Sequence, residues 1–207
     1  MKKNYKEIVD HYEKCLITHG DNHLGVDWPN EDDALKRYKI MLEIVKDRTV
    51  SNTLLDFGCG TAHLLQYIID NQIADINYSG LDISPLFVET ARSKFPESTF
   101  YQIDLLENDA ELPSFDYIIL NGVFTEKREL SQEEMWAYFC LMISKVFEKC
   151  NKGIAFNVMS KNVDWERDDL FHLSLDTLTK FLCDKLSRNF IIRNDYGLYE
   201  YTVYLLK

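Results

Sequence analysis

The sequence predicts an α/β fold, a seven-stranded, doubly wound and mostly parallel sheet with an antiparallel carboxy-terminal hairpin and helices on both faces. Two observations predict it. From residue 51 onward, short apolar runs of strand length alternate with helical patterns. The first of these runs, residues 53–57, breaks at Gly58-Cys59-Gly60 and leads directly into a helix, which is typical of the ligand-binding turn of such sheets.

Length and composition favour one domain. The chain has 207 residues, 46% of them hydrophobic and 13% aromatic, and no linker or low-complexity run divides it. We therefore expect a single domain over residues 1–207. Residues 1–50 would form an amino-terminal helical cap or lid, and residues 51–207 the Rossmann-like core.

The cap region predicts two helices, near residues 5–17 and 32–47, joined by a polar loop. Asn30 or Asp32 can cap the second helix. Apolar side chains recur along that helix at helical spacing and are expected to face the core: Leu35, Tyr38, Met41, Leu42 and Val45. The loop over residues 18–30 ends in Trp28-Pro29, and loops of this length often act as lids.

The glycine turn after the first strand narrows the choice of ligand. Gly58 and Gly60 lack side chains, so the backbone can take otherwise costly torsions and approach a bound molecule closely. The dinucleotide pattern G-x-G-x-x-G fails, because His63 stands where its third glycine belongs. A nicotinamide cofactor is therefore disfavoured.

Three further strands end in polar or small residues. The run over residues 76–82 ends at Asp82-Ile83, the run over 99–103 leads into Asp104-Leu105, and the run over 115–120 leads into Asn121-Gly122. Taken singly, each is more often a turn or a helix cap. Together they follow successive strand ends, and open α/β sheets bind ligands at the carboxyl ends of their strands.

The remaining elements complete the sheet. Ser131 and Glu134 form a capping-box pattern that opens a helix to about residue 149. A fifth strand over residues 153–159 leads into a rim segment over 160–172, and a last helix begins at Ser174. Two strands, near residues 190–193 and 198–206, form the closing hairpin.

The sequence D-x-G-C-G-T from Asp56 to Thr61 resembles the first motif of class I S-adenosylmethionine-dependent methyltransferases, with Ala62 where that family usually has its third glycine. The resemblance, which spans residues 32–207, implies the methyltransferase form of the Rossmann-like fold. It also implies S-adenosylmethionine (SAM) as cofactor and S-adenosylhomocysteine (SAH) as product.

The same resemblance implies which residues hold the cofactor. Arg37 would bind the carboxylate of the cofactor, and Asp82, ionised, would accept hydrogen bonds from both ribose hydroxyls. Charge-assisted bonds of this kind contribute on the order of 1.5–3 kcal/mol each. The full expected set is Arg37, Asp56, Gly58, Cys59, Gly60, Asp82, Ile83, Asp104, Leu105, Asn121 and Gly122.

The methyl acceptor is expected to be a small polar molecule. A formal net charge of −11 counts against nucleic acid, and no N-P-P-Y sequence follows the fourth strand. Residues 19–21, 25–29 and 195–203 resemble small methyltransferases of bacterial capsule and surface-polysaccharide gene clusters, including those for methyl phosphoramidate. This resemblance implies O-methylation of a phosphate, phosphoramidate or sugar precursor in the cytoplasm.

A hydroxyl acceptor would need a general base, whereas an anionic phosphate oxygen would not. His19 and His172 lie in the two predicted rim segments and are the candidates for that base or for binding the acceptor. His63 is expected to contact the cofactor or to pack. The candidate walls of the acceptor pocket are Tyr12, Trp28, Trp165 and Tyr199.

Two other functions stay open at this point. The fold also carries aminopropyl transferases, which use a decarboxylated cofactor, although a carboxylate-binding Arg37 would argue against that chemistry. The second open function is that of a non-catalytic module that binds the cofactor. The five cysteines contain no C-x-x-C, and the His19 and His23 pair falls in a loop, so no metal is expected.

No apolar run reaches membrane-spanning length, so we expect no membrane insertion and a cytoplasmic protein. We expect a monomer or a homodimer.

Overall fold

The computed structural model describes residues 5–108 and 112–207. Residues 1–4 of the expected cap lie outside the described residues. The helices are α1 (Lys6–His19), α2 (Glu31–Leu42), α3 (His63–Asp70), α4 (Pro85–Lys94), α5 (Gln132–Glu148) and α6 (Leu175–Lys185), with a 3₁₀ turn over His23–Val26. The strands are β1 (Asn52–Phe57), β2 (Ile76–Asp82), β3 (Thr99–Gln102), β4 (Phe115–Phe124), β5 (Cys150–Ser160), β6 (His172–Leu173), β7 (Phe190–Arg193) and β8 (Glu200–Leu206).

The strands form one sheet in the order β3-β2-β1-β4-β5-β8-β7. β1 to β5 pair in parallel, whereas β8 is antiparallel to both β5 and β7. The strand order reverses where β1 lies between β2 and β4. In open α/β sheets this switch point leaves a crevice outside the carboxyl ends of the strands.

Alternate residues of the strands supply two cores, one on each face of the sheet. Leu55 packs with α5 and α6 on one face, while its neighbour Leu54 packs with α2, α3 and α4 on the other. Such burial on both faces explains why the central strands are almost continuously apolar. The predicted fold class is confirmed.

Three details differ from the sequence expectations. The described residues contain an eighth strand, the two-residue β6, which pairs with β5. Helix α2 ends at Leu42 instead of near residue 47, because the chain tightens into i→i+3 bonds and Arg48 donates to the carbonyls of Leu42 and Val45. Leu35 is 43% exposed and does not face the core.

Helix ends follow the expected caps. Ser131 and Glu134 form the predicted capping box at α5, and Asn30 caps α2 through the Asp33 amide. None of the helices in the described part of the chain is long and apolar enough to cross a bilayer.

Candidate functional site

A cavity of about 170 Å³ opens at the carboxyl ends of β1 to β4, beneath α1 and Trp28. Tyr5, Ile8, Val9 and Tyr12 of the amino-terminal segment line one side of it. The expected cofactor residues line it too, with the exception of Arg37: Asp56, Gly58, Cys59, Gly60, Asp82, Ile83, Asp104, Leu105, Asn121 and Gly122. The structure thus brings together residues from four separate strand ends.

The glycine turn forms one wall of the cavity. Gly58 and Gly60 adopt φ angles of 75° and 53°, a region that favours glycine. The amides of Gly58 and Cys59 donate to the Leu81 carbonyl at 2.7 and 2.9 Å, which joins the turn to the end of β2. A Cβ on Gly58 would lie 2.8 Å from Val123 Cγ2, so this position has no room for a side chain.

The backbone conformation of Ala62 explains why the methyltransferase motif usually has a glycine at this position. Its φ angle is 64°, a left-handed conformation that costs a residue with a Cβ about 1–2 kcal/mol. Cys59, in the middle of the turn, is buried, and burial raises the pKa of its thiol well above the usual value. The neutral thiol fits packing and not nucleophilic attack.

Buried carboxylates give the cavity its charge. Asp82 accepts from the Gly60 amide through Oδ2 and from the Ser84 amide through Oδ1, both at 2.9 Å. Burial raises the pKa of Asp82. Burial also raises the pKa of Asp56, to about 7, although the hydrogen bond from Tyr78 lowers it in part. Each carboxylate oxygen has two lone pairs, so Asp82 retains acceptor capacity toward the cavity.

The lining is acidic and has an unpaired acceptor. Three of the described lining residues are aspartates, and none of them is lysine or arginine. Asn121 Oδ1 is buried without a hydrogen-bond partner, and such an orphan costs about 1–3 kcal/mol. A ligand that carries positive charge and a hydrogen-bond donor would satisfy both features.

Side chains of the amino-terminal segment tie it across the strand ends. The Tyr5 hydroxyl donates to Asp104 Oδ2 at 2.7 Å, and Glu13 on α1 accepts from the Ser84 hydroxyl. Asp21, between α1 and the 3₁₀ turn, accepts from Thr61 at 2.5 Å and pairs with Lys94 at 2.7 Å. These contacts hold the segment over the cavity.

His63 is the histidine that lines the cavity. Its Nε2 lies 2.8 Å from Asp21 Oδ1, and we assign the proton to Nε2 because a carboxylate only accepts. The Nδ1 atom is then an acceptor. Burial lowers the pKa of His63, which keeps the ring neutral at pH 7.

Arg37 does not occupy the place that the resemblance implies. Its guanidinium binds the buried carboxylate of Glu200, with Nε 3.0 Å from Oε1 and 2.9 Å from Oε2. Its Cζ lies 5.2 Å from the centre of the Trp28 ring. Arg37 therefore contacts Trp28, a cavity-lining side chain, but does not line the cavity itself, and its charge is matched by Glu200.

The two histidines expected to act as bases also lie elsewhere. His172 is buried in β6, where Nδ1 lies 2.6 Å from the Ser160 carbonyl and Nε2 accepts from the Arg167 amide at 3.2 Å. Both of its nitrogens are thus engaged by the backbone. His19 is exposed at the end of α1, and neither histidine lines the cavity.

Two of the four aromatic residues expected to form walls of the acceptor pocket line the cavity, and two do not. Tyr12 and Trp28 line the cavity. Trp165 and Tyr199 do not, and they are 73% and 62% exposed. The Tyr199 hydroxyl instead donates to Asp164 at 3.3 Å, on the outer surface of the rim segment.

Several lining residues escaped the sequence reasoning. Tyr5, Tyr38, Phe87 and Tyr138 line the cavity as well. Aromatic residues at helical spacing usually indicate core, and nothing in the periodicity separates a cavity wall from packing.

Comparison with known proteins gives a consistent result. Residues 55–135 match a family model described as "Methyltransferase domain". The chain is 27% identical over 157 residues to Rv1506c of Mycobacterium tuberculosis, a candidate methyltransferase, and the match covers 73% of this chain and 91% of that protein. A shorter match, 36% identity over 72 residues, covers 34% of this chain and 25% of the malonyl-[acyl-carrier protein] O-methyltransferase of Acetivibrio thermocellus.

Among solved structures, magnesium protoporphyrin IX methyltransferase from Synechocystis PCC 6803 with bound SAM superposes with a TM-score of 0.63. That match covers 99% of this chain and 93% of the other at 17% identity, which shows the shared fold. Its bound SAM agrees with the cofactor expected from the sequence. The chain therefore shares the Rossmann-like fold of this methyltransferase, and residues 55–135 match the model of a methyltransferase domain.

Proposed function

We propose that this chain binds SAM in the cavity at the ends of β1 to β4 and transfers its methyl group to a small polar acceptor. The observation that carries the proposal is the convergence of Gly58, Gly60, Asp82, Asp104 and Asn121 on one cavity. SAM supplies an electrophilic methyl group on a positively charged sulfonium.

The residues present fit such a cofactor. Asp82 would accept hydrogen bonds from ribose hydroxyls with its remaining lone pairs. The orphan Oδ1 of Asn121 would accept from the cofactor's ammonium group. Asp82 and Asp104 supply negative charge that favours a cation, and the glycine turn leaves the backbone open to it.

The acceptor is best matched by a neutral hydroxyl. The sequence resemblance leaves phosphate, phosphoramidate and sugar oxygens open. Because no lysine or arginine is found among the described lining residues, an anionic phosphate would meet carboxylates without a counter-charge. A sugar hydroxyl needs a base instead, and His63 Nδ1, held by the Asp21 contact, can take its proton. We therefore rank a sugar hydroxyl first.

A second function is favoured by one observation. Arg37 is bound to Glu200 and does not line the cavity, so the cavity lacks the cation that would select a carboxylate-bearing cofactor. A decarboxylated cofactor and a polyamine acceptor would suit three aspartates. Aminopropyl transfer is therefore the alternative to methyl transfer.

One assay separates the two. The protein is incubated with methyl-labelled SAM and a panel of sugars, sugar phosphates and phosphoramidates, and in parallel with decarboxylated SAM and polyamines. Methyl transfer gives labelled acceptor and SAH, while aminopropyl transfer gives methylthioadenosine. His63→Gln should lower the transfer rate to a sugar hydroxyl about 10²–10⁴-fold, but should not slow transfer to a phosphate oxygen. Production of methylthioadenosine without SAH would overturn the methyltransferase proposal.

A further inference from the structure

A second cluster of reactive side chains lies outside the cavity. His11 and Cys15 are four residues apart on α1 and so share one face of the helix. Asp27, which follows the 3₁₀ turn, folds back onto them. His11 Nε2 is 2.7 Å from Asp27 Oδ2 and 3.7 Å from Cys15 Sγ, and the three ligand atoms lie within 4.8 Å of one another.

The geometry argues against a catalytic triad. In a triad the two ring nitrogens are divided, one facing the nucleophile and the other the carboxylate. Here the same nitrogen, Nε2, faces both the thiol and the carboxylate. Three donor atoms that converge on one point are instead the arrangement of a metal site. We propose that His11, Cys15 and Asp27 bind a zinc-class transition metal ion.

The separation of the Cys15 and His11 ligand atoms is close to the value that a tetrahedral ion requires, whereas Asp27 must shift slightly. With zinc–nitrogen and zinc–sulfur bonds of about 2.0 and 2.3 Å, the two ligand atoms of a tetrahedral ion lie about 3.5 Å apart, and Cys15 Sγ and His11 Nε2 are 3.7 Å apart. The nitrogen and oxygen ligands need about 3.3 Å, so Asp27 Oδ2 must move out by about 0.6 Å. The Asp27 side chain is 40% exposed, which leaves it free to move.

The surrounding charges also favour a cation. The Cys15 thiol lies in the field of two negative charges, those of Asp27 and Glu126, and of one positive charge, that of Arg128. Arg128 lies 3.2 Å from Glu126 and 3.6 Å from Asp169, so its positive charge is already matched. The donor set of imidazole, thiolate and carboxylate suits Zn²⁺ or Co²⁺ and is a poor match for Mg²⁺ or Ca²⁺. Water would complete the coordination on the exposed side.

The site joins two walls of the cavity. Tyr12 follows His11 on α1, and Trp28 follows Asp27, and both Tyr12 and Trp28 line the cavity. A bound ion would therefore fasten α1 to the segment carrying Trp28. The sequence expectation of no metal rested on the absence of a C-x-x-C pattern and on the loop position of His19 and His23. The chain reversal that brings Asp27 back to α1 is a property of the fold, which neither pattern indicates.

Cobalt titration tests the site without any cofactor or acceptor. The chelator-treated, reduced protein is titrated with Co²⁺, followed by Zn²⁺ in competition. We expect one equivalent to bind at micromolar concentration, with tetrahedral d–d bands and a thiolate-to-cobalt charge-transfer band that Zn²⁺ displaces and excess Mg²⁺ does not. Cys15→Ser should remove the charge-transfer band. His11→Ala should weaken binding at least about 100-fold, the upper end of what loss of an outer-shell partner costs.

Matched variants guard against adventitious binding. Cys183→Ser removes a thiol on α6, and His19→Ala removes a histidine on α1 outside the cluster. Both should leave the spectrum and the affinity unchanged. Circular dichroism confirms that each variant is folded, and Asp27→Ala provides an independent ligand variant. Absence of stoichiometric binding to the wild type, or a charge-transfer band that survives in Cys15→Ser, would overturn the proposal.

Discussion

The guanidinium of Arg37 lies against the carboxylate of Glu200, with both Nε and Nη2 2.9 Å from Oε2. These residues are 163 positions apart in sequence. Glu200 is 1% exposed and also accepts from Asn157 Nδ2 at 2.9 Å. Asn157 Oδ1 in turn accepts the amide of Gly122, a cavity-lining residue, at 2.8 Å. A buried polar network therefore runs from α2 to the edge of the cavity.

Loss of Arg37 should destabilise the protein. Arg37→Ala leaves the buried Glu200 carboxylate without its counter-charge, and breaking such a pair costs about 3–5 kcal/mol. The measurement is the free energy of unfolding in urea. Lys180→Ala, which breaks an exposed pair with Asp184, should leave the midpoint unchanged. An Arg37→Ala protein as stable as wild type but unable to bind SAM would instead indicate a direct contact with the cofactor carboxylate.

Substitution of Gly58 should cost more than substitution of a second glycine in the same conformation. Gly58 and Gly197 have φ angles of 75° and 74°, but a Cβ on Gly197 meets nothing within 4 Å. Gly197→Ala should cost about 1–2 kcal/mol from the backbone alone. Gly58→Ala adds the clash with Val123 and should cost about 2–5 kcal/mol, as measured by urea unfolding. Equal costs would refute the close approach at Gly58.

Removal of the orphan acceptor should separate binding from stability. Asn121→Ala deletes an oxygen that has no partner, so the unfolding free energy should stay constant or rise while SAM affinity falls at least about tenfold. Asn157→Ala is the contrast, because it removes the hydrogen-bond partner of the Gly122 amide and one partner of the Glu200 carboxylate. It should lower the free energy of unfolding by about 1–3 kcal/mol. A stability loss in Asn121→Ala as large as that in Asn157→Ala would contradict the assignment.

The high pKa of Asp56 makes stability depend on pH. Burial raises the pKa of Asp56 from 3.8 to about 7 in the folded state, so between these values the folded protein binds more protons than the unfolded chain. The stability contributed by protonated Asp56 is therefore lost as pH rises through 7. Asp56→Asn, whose amide oxygen can still accept from Tyr78, should gain stability relative to wild type as pH rises from about 4 to about 7, and the difference should level off above pH 7. A difference that does not change with pH would contradict the raised pKa.

The sequence predicted the parts of the site that depend on local structure. The glycine turn, the ends of β2 and β3 and the last part of β4 reach the cavity because the carboxyl ends of parallel strands meet at one edge of the sheet. His172 lies outside the cavity because β6 pairs with β5, and the backbone engages both of its ring nitrogens. Arg37 pairs with Glu200 and does not line the cavity, and no local pattern could indicate a partner at the far end of the chain.

His63 shows the reverse case. The sequence places it at the start of a helix, where a dinucleotide-binding chain would have glycine. Its contact with Asp21 beside the cavity forms only when the loop carrying Asp21 packs against α3. Contacts between a cap loop and a distant helix depend on the tertiary structure, which periodicity does not encode.

Calorimetric titration with SAM and SAH, on wild type and on Asp82→Ala, tests the cofactor site most directly. We expect micromolar binding of both ligands to the wild type, because Asp82 lies in the cavity with lone pairs to spare. Asp82→Ala, checked by circular dichroism to be folded, should bind neither. Failure of the wild type to bind either ligand would contradict the proposed methyltransferase site.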